Sequence, residues 1–328
     1  MGATYLSDVT LVVPVRDEEA SIDDLAASIA GQAAAPASVV FVDGGSTDGT
    51  ARVLAEWVVQ RPSWRVLDAG PATPGRARNL GIAAAATDWV ALADAGIELD
   101  PHWLARLVEV ARYDPSIDVV YGHHEPAPGG FVSRCAALAY VSPPRRTARG
   151  PVREPFIAST LLRRSAWEAA GGFPDLRAAE DRIFMRALAG AGQRSVSAPE
   201  ATVLWQLQPD LASTFRRFRT YSRVNVSAGE QRYWHYGVAR QYLASVPFVV
   251  LAARRRAWLA VPAAGFAARV VRSVLLRREG RPVWWALHPG RLAGVAAVLL
   301  TCDVATFAGW FDARRDARNA RRRGRRGG

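Results

Sequence analysis

Trp89-Val90-Ala91-Leu92-Ala93-Asp94-Ala95-Gly96 is the stretch on which the fold turns. Five apolar residues followed by an acid read as a buried strand that ends, at its C-terminal tip, in a carboxylate. Open α/β sheets bind their ligands outside the carboxyl ends of the strands. Working upstream, two more apolar runs end in the same way. Val12-Val13-Pro14-Val15 opens into Arg16-Asp17-Glu18-Glu19, and Val39-Val40-Phe41-Val42 into Asp43-Gly44-Gly45-Ser46-Thr47-Asp48-Gly49-Thr50. Downstream, Ala179-Glu180-Asp181 precedes a helical pattern. Acids at several strand ends suggest a site for a cation together with a phosphorylated ligand.

Between these tips the periodicity alternates. Residues 9–15, 38–43, 64–67, 88–93, 118–121 and 156–162 read as strands. Residues 18–32, 50–60, 74–86 and 181–189, with a further segment beginning at Pro101, read as helices. The series predicts an α/β fold with a mostly parallel sheet and helices on both faces. No Gly-x-Gly-x-x-Gly follows the first strand. No phosphate-binding Gly-x-x-x-x-Gly-Lys exists either, since the chain contains no lysine at all. Residues 123–154 are punctuated by glycine and proline around a helix-sized segment near Phe131 to Val141, and suggest an insertion or mobile loop over the sheet.

Charge is placed unevenly. The net charge is +12, yet residues 1–113 hold eight arginines against 15 acids, and the remainder 34 arginines against 15. An acidic front and a basic back fit a cation-using site followed by a surface for an anionic partner. Cys135 and Cys302 lie far apart and form no metal or redox motif, as expected in a reducing compartment. The N-terminus lacks the basic start and continuous apolar core of a signal peptide.

Four of these stretches together resemble the family 2 inverting glycosyltransferases, which have a GT-A nucleotide-sugar-binding fold. Val13-Pro14-Val15-Arg16-Asp17-Glu18-Glu19 is similar to the family's Pro-x-Tyr-Asn-Glu-Glu opening. Val42 to Thr50 is similar to its Asp-Asp-Gly-Ser-x-Asp-x-Thr loop, Asp94-Ala95-Gly96 stands at its Asp-x-Asp metal motif, and Ala179-Glu180-Asp181 looks like its Glu-Asp motif. The order and spacing agree over about residues 8–230. Departures are Arg16-Asp17 for Tyr-Asn, Gly44 for the second acid of the pair, and Gly96 for the second metal-motif acid.

The resemblance implies transfer of a sugar from a nucleoside diphosphate to a hydroxyl. It implies Asp181 as general base with Glu180 orienting it, and Asp94 as ligand to Mg2+ or Mn2+. Pro14, Arg16, Glu18, Asp43, Arg76, Arg78 and Asn79 would line the nucleotide-sugar site. Capping roles for Glu18, Asp94 and Asp181, and a solvated helix face for Arg76 and Arg78, are the plainer alternatives. Arg216, Arg217, Arg219 and Arg223 lie near a family region that often contacts diphosphate, with a simple basic helix face as the larger expectation. Trp205-Gln206 falls where many relatives carry a histidine. A catalytically inactive nucleotide-sugar-binding scaffold is the rival reading, and nucleic acid is not an expected partner.

Beyond about residue 235 the character changes. Apolar runs Val246–Ala253 and Trp258–Ala268 flank Arg254-Arg255-Arg256, and Leu292–Phe311 carries one charge, Asp303. The first two runs are each too short to span a bilayer, whereas the third is long enough. Arginines on both sides of it favour surface-bound or re-entrant helices on the cytosolic leaflet, with anionic headgroups as partners. The acceptor would then be a lipid-linked or cell-envelope glycan. The expected division is a catalytic domain over 1–230, a helical membrane-associating region over 231–313 and a basic disordered tail over 314–328.

Overall fold

The computed structural model describes residues 4–147 and 150–324. By compactness the chain separates into two units. One comprises residues 1–127 with 144–206, and the other residues 128–143 with 207–328. The first boundary therefore falls at 206–207 rather than near 230.

The first unit is built on apolar runs that hydrogen-bond side by side. Strands β1 (Thr4–Val15), β2 (Ala34–Asp43), β3 (Trp64–Asp68) and β4 (Trp89–Leu92) are mutually parallel, with β1 between β2 and β4. Val12 and Val13, Val39 and Val40, and Val90 and Ala91 are all fully buried. Neighbouring residues of a strand face opposite sides, so both faces of the sheet are covered. Helices α1 (Ile22–Ala30), α2 (Thr50–Val59) and α4 (Trp103–Tyr113) pack on one face through Leu25, Leu54 and Trp103. Helices α3 (Pro74–Ala83), α6 (Arg164–Ala169) and α7 (Glu180–Gly190) cover the other through Ile82, Ala166 and Phe184. Helix α3 lies very close to the strands: a Cβ on Gly81 would come within 2.4 Å of Val12 Cγ1.

The remaining strands are β5 (Ile97–Leu99), β6 (Val119–Pro126), β7 (Arg145–Thr147), β8 (Gly150–Val152), β9 (Thr160–Arg163) and β10 (Ser195–Trp205). The main sheet has eight strands in the order β3-β2-β1-β4-β9-β6-β10-β5, and β7 and β8 form a separate hairpin. Strands β9 and β5 run antiparallel to their neighbours. The sequence reading had no strand at 195–205. Pro199 sits inside β10, where the register against β6 shifts between Ala198 and Thr202, and proline is tolerated in a strand at such an irregularity.

The second unit is helical. It comprises α5 (Phe131–Tyr140), α8 (Leu211–Ser227), α9 (His235–Ala252), α10 (Ala260–Leu276), α11 (Val283–Ala286) and α12 (Pro289–Gly324). Helix α5 therefore belongs with the C-terminal helices and is not a loop over the sheet: a Cβ on Gly294 of α12 would lie 2.5 Å from Cys135 Sγ. Of the basic tail expected over 314–328, residues 314–324 continue this helix and residues 325–328 lie outside the described residues. Asp312 and Asp316 of α12 pair with Arg219 and Arg223 of α8 at 2.6 and 2.7 Å, which fastens that end. Asp303 is buried and bonded to Arg269 Nη2 (2.9 Å) and Tyr242 Oη (2.9 Å), so its charge has a partner.

Among the described residues, two helical segments are long and apolar enough to cross a membrane, 256–276 and 289–322. The first revises the judgement that the earlier apolar runs are too short, because the helix continues past Arg269 and Arg272 through Val274 and Leu276. It is 17% buried, against 44% for the second.

Candidate active site

The loops after β1 and β2 are latched to each other by their polar groups. The Gly44 N–H donates to Val15 O (2.9 Å), the Asp17 N–H to Ser46 Oγ (3.0 Å) and the Glu18 N–H to Thr50 Oγ1 (2.8 Å). In return Asp17 Oδ1 accepts from Thr47 N (2.7 Å), and Glu19 Oε2 accepts from Gly49 N (3.0 Å). The Thr47 N–H holds the Asp17 carboxyl below its usual range, and the Thr50 hydroxyl does the same for Asp48. Asp43 Oδ1 accepts from both the N–H (2.8 Å) and the hydroxyl (2.7 Å) of Ser46, which turns the β2 loop at the sheet edge.

The centre of the site is a buried guanidinium. Arg78, in the middle of α3, has a side chain only 3% exposed. Its Nη2 donates to both oxygens of Asp94 (2.7 and 2.8 Å), and its Nη1 to Glu180 Oε1 (2.9 Å). One cation is thus forked between two carboxylates, one past the tip of β4 and one at the start of α7. Burial opposes the charge on Arg78, but Asp94 and then Glu180 outweigh it and raise the Arg78 pKa. Burial pushes Glu180 upward, with Arg78 pulling the other way. The guanidinium also lies 5.5 Å from the Phe173 ring, which stacks on Phe184.

The geometry of α7 separates its two acids. Ala179 precedes the helix in the left-handed region (φ +70°), and this turns Glu180 inward while Asp181 stays half-buried. Among the described residues, Asp181 Oδ1 accepts from the adjacent Arg182 N–H (2.7 Å). The segment before α7 is stapled to α3. Asn79 Oδ1 accepts from Trp167 Nε1 (2.9 Å) and Phe173 N (2.8 Å), and Asn79 Nδ2 donates to Phe173 O (2.8 Å). A Cβ on Gly75 would collide with Pro174 O at 2.1 Å.

Strand-tip acids, a latched double loop and an acid pair at a helix start form the arrangement expected of a nucleotide-sugar site. A family model described as glycosyl transferase family 2 matches residues 10–157. Residues 10–157 thus carry a glycosyl transferase family 2 domain. Among solved structures, this glycosyltransferase is similar to a mannosyltransferase from Pyrobaculum calidifontis, crystallised with GDP-Man and Mn2+. That match has 19% identity and a TM-score of 0.56, and covers 92% of this chain and 87% of that one. Another match is residues 1–349 of TarS from S. aureus with UDP-GlcNAc, at 15% identity and a TM-score of 0.48, covering 90% and 91%. At 19% identity the mannosyltransferase likeness speaks to the fold, which is GT-A. No curated protein sequence matches.

Within the glycosyltransferase, the structure brings together Arg78, Asp94, Glu180 and Asp181. Arg78 and Asn79 carry more fold than the sequence suggests: the first neutralises two acids, and the second spends its amide on residues 167–173. Glu18 turns its carboxylate back to the Ser21 hydroxyl (2.7 Å), at the start of α1. Arg76 is exposed on the first turn of α3, while Arg16 is exposed and 3.6 Å from Asp17. Pro14 pairs with Val42 between the two latched loops. Arg219 and Arg223 belong to the helical unit, where they are ion-paired with α12. The Gln206 N–H donates to Gly96 O (3.0 Å), a contact that reading the sequence missed because β10 was not recognised.

The residues present suit one divalent cation held by a single protein carboxylate. Asp94 is 30% exposed, and each oxygen keeps a lone pair beside the Arg78 bond. Gly96 (φ +78°) leaves open space next to it, since an added Cβ would touch nothing. Mg2+ commonly takes one or two carboxylates and completes its shell with phosphate oxygens and water.

Proposed function

We propose that this glycosyltransferase moves a sugar, with inversion, from a nucleoside-diphosphate sugar to a hydroxyl of a lipid-linked or cell-envelope glycan. The observation that carries the reading is the Arg78 fork, which sets Asp94 and the Glu180-Asp181 pair on opposite arms of one buried cation. Asp181 takes the acceptor proton: it is the acid of the pair that no arginine holds at its carboxylate among the described bonds. Glu180, fixed by Arg78, holds the start of α7 so that Asp181 points outward. The latched loops give Asp43 a rigid position, with Oδ2 accepting no bond among the described residues, so that it can receive the base or ribose of the donor. The exposed Arg76, near the N-terminus of α3, meets the diphosphate. A bound Mg2+ or Mn2+ on Asp94 would offset the charge that develops on the leaving diphosphate.

The helical unit supports work at a lipid surface. Leu243, Val246 and Val250 of α9 and Leu259, Val261 and Leu276 around α10 are exposed, with Arg254-Arg255-Arg256 at the turn between them. Apolar helices with arginines at their ends lie in the headgroup region, and positive charge on both flanks favours the cytoplasmic side.

The test is to incubate full-length protein with GDP-mannose, UDP-N-acetylglucosamine and UDP-glucose, with and without Mn2+. Binding is followed by calorimetry and the product anomer by NMR. An inverted glycoside supports the reading. Donor binding without turnover against any acceptor would favour the inactive scaffold, for which Gly96 in place of an acid is the motive.

A further inference from the structure

One ionic cluster is not used by the donor machinery. Glu125, near the end of β6, accepts from His123 Nε2 on Oε1 (2.7 Å) and from Arg153 Nη2 on Oε2 (2.6 Å). The His123 and Arg153 side chains are 5% and 2% exposed, whereas Glu125 is 32% exposed. Two buried groups thus grip a carboxylate that faces outward. His123 Nδ1 has no partner among the described residues. Because a carboxylate only accepts, it is His123 Nε2 that carries the proton of the bond to Glu125. Each Glu125 oxygen keeps a lone pair for a ligand.

Strand pairing places the cluster relative to the donor site. Val119 and Tyr121 of β6 pack with Phe184 and Leu188 of α7, and alternation carries His123 and Glu125 to that same face. Leu92 of β4 and Tyr121 of β6 both pair with Thr160 of β9. Asp94 and His123 each lie two residues past that level, separated by two inter-strand spacings, about 10 Å. Glu125 stands a further 6–7 Å along, roughly, at the same end of the sheet. That offset is the size of one to two sugar rings.

Charge decides the kind of ligand. Burial would raise the Glu125 carboxyl, but the bonds from His123 and Arg153 outweigh it and hold it below the usual range. Such a group stays ionised, accepts hydrogen bonds and takes protons poorly, and it repels a phosphate. Its fitting partner is a neutral polyhydroxyl compound.

We propose that Glu125, clamped by His123 and Arg153, is an acceptor subsite that binds hydroxyls of a sugar or polyol and so aims the attacking one at the donor. The inference rests on the transfer reaction proposed above. It is tested with full-length protein and whichever of the three nucleotide sugars binds. The acceptors are ribitol and the methyl glycosides of glucose, galactose, mannose and N-acetylglucosamine. Glu125→Ala is expected to raise the acceptor KM about 10- to 100-fold, the loss of one or two hydrogen bonds to a charged group, while the donor Kd by calorimetry stays within about twofold. The isosteric Glu125→Gln should fall between. An unchanged acceptor KM in both variants overturns the proposal, as does a donor Kd that weakens by the same factor, which would mark a merely structural clamp. A wild type that binds donor but glycosylates none of these acceptors overturns it too. A wild type that binds no nucleotide sugar removes the transfer reading, and this inference with it.

Discussion

Arg78 shows how one residue can set both the stability and the chemistry of a site. It compensates two carboxylates from a position 3% exposed, so its loss leaves both acids without their cation. Arg78→Met is expected to cost about 3–5 kcal/mol by chemical denaturation, as breaking a buried pair typically does. Arg78→Lys should recover only part, because an ammonium cannot fork between Asp94 and Glu180. A loss below about 1 kcal/mol would show that the fork is not holding the site. His124 gives a pH prediction at the same scale. Burial pushes its imidazole down to about 4, with Arg153 and His123 adding to the effect, and its ring packs against Phe156. The folded state therefore binds fewer protons than the unfolded chain between about pH 6.5 and 4. The resulting stability is complete above the unfolded pKa and is lost as pH falls through that window, up to about 3 kcal/mol. His124→Phe should flatten the decline of Tm from pH 7 to 4. An equally steep decline would contradict the assignment.

At the scale of elements, α3 is positioned by the absence of side chains as much as by their presence. Gly81→Leu would drive a side chain into Val12 and Val42, with an expected cost of about 1–3 kcal/mol and a fall in Tm, because α3 cannot retreat without moving Arg78. A Tm equal to that of the wild type would show that α3 has slack. The strand tips were legible in sequence because apolar runs that stop at Asp43 and Asp94 have few other readings. Helix α7 was legible because an acid pair preceded an apolar periodicity. Strand β10 was not, since Pro199-Glu200 breaks its pattern and the compensating bulge depends on β6. Helix α5 reads as amphipathic, but periodicity does not say which neighbour takes its apolar face. The arginine-rich tail looked solvated because its partners are distant in sequence: Asp312 and Asp316 meet Arg219 and Arg223 one helix turn apart. The Arg78 fork was hidden for the same reason. Asp94 and Glu180 stand 16 and 102 residues from Arg78, and only the fold joins them.

At the scale of the whole molecule, the chain combines an acid-lined α/β unit with a basic helical one, and a net charge of +12. Full-length protein is expected to float with vesicles containing phosphatidylglycerol and to be partly released by raised salt. Replacing Arg254, Arg255 and Arg256 with glutamine should weaken that binding. Recovery of the wild type wholly in the soluble fraction at low salt would contradict the membrane reading. The central claim, glycosyl transfer with Asp181 as the proton acceptor, is tested most directly by one paired measurement on Asp181→Asn. Transfer rate and donor Kd are determined on the same preparation. The account predicts an unchanged donor Kd and transfer reduced about 10²- to 10⁴-fold, the range typical of a lost general base. Transfer at the wild-type rate would contradict it.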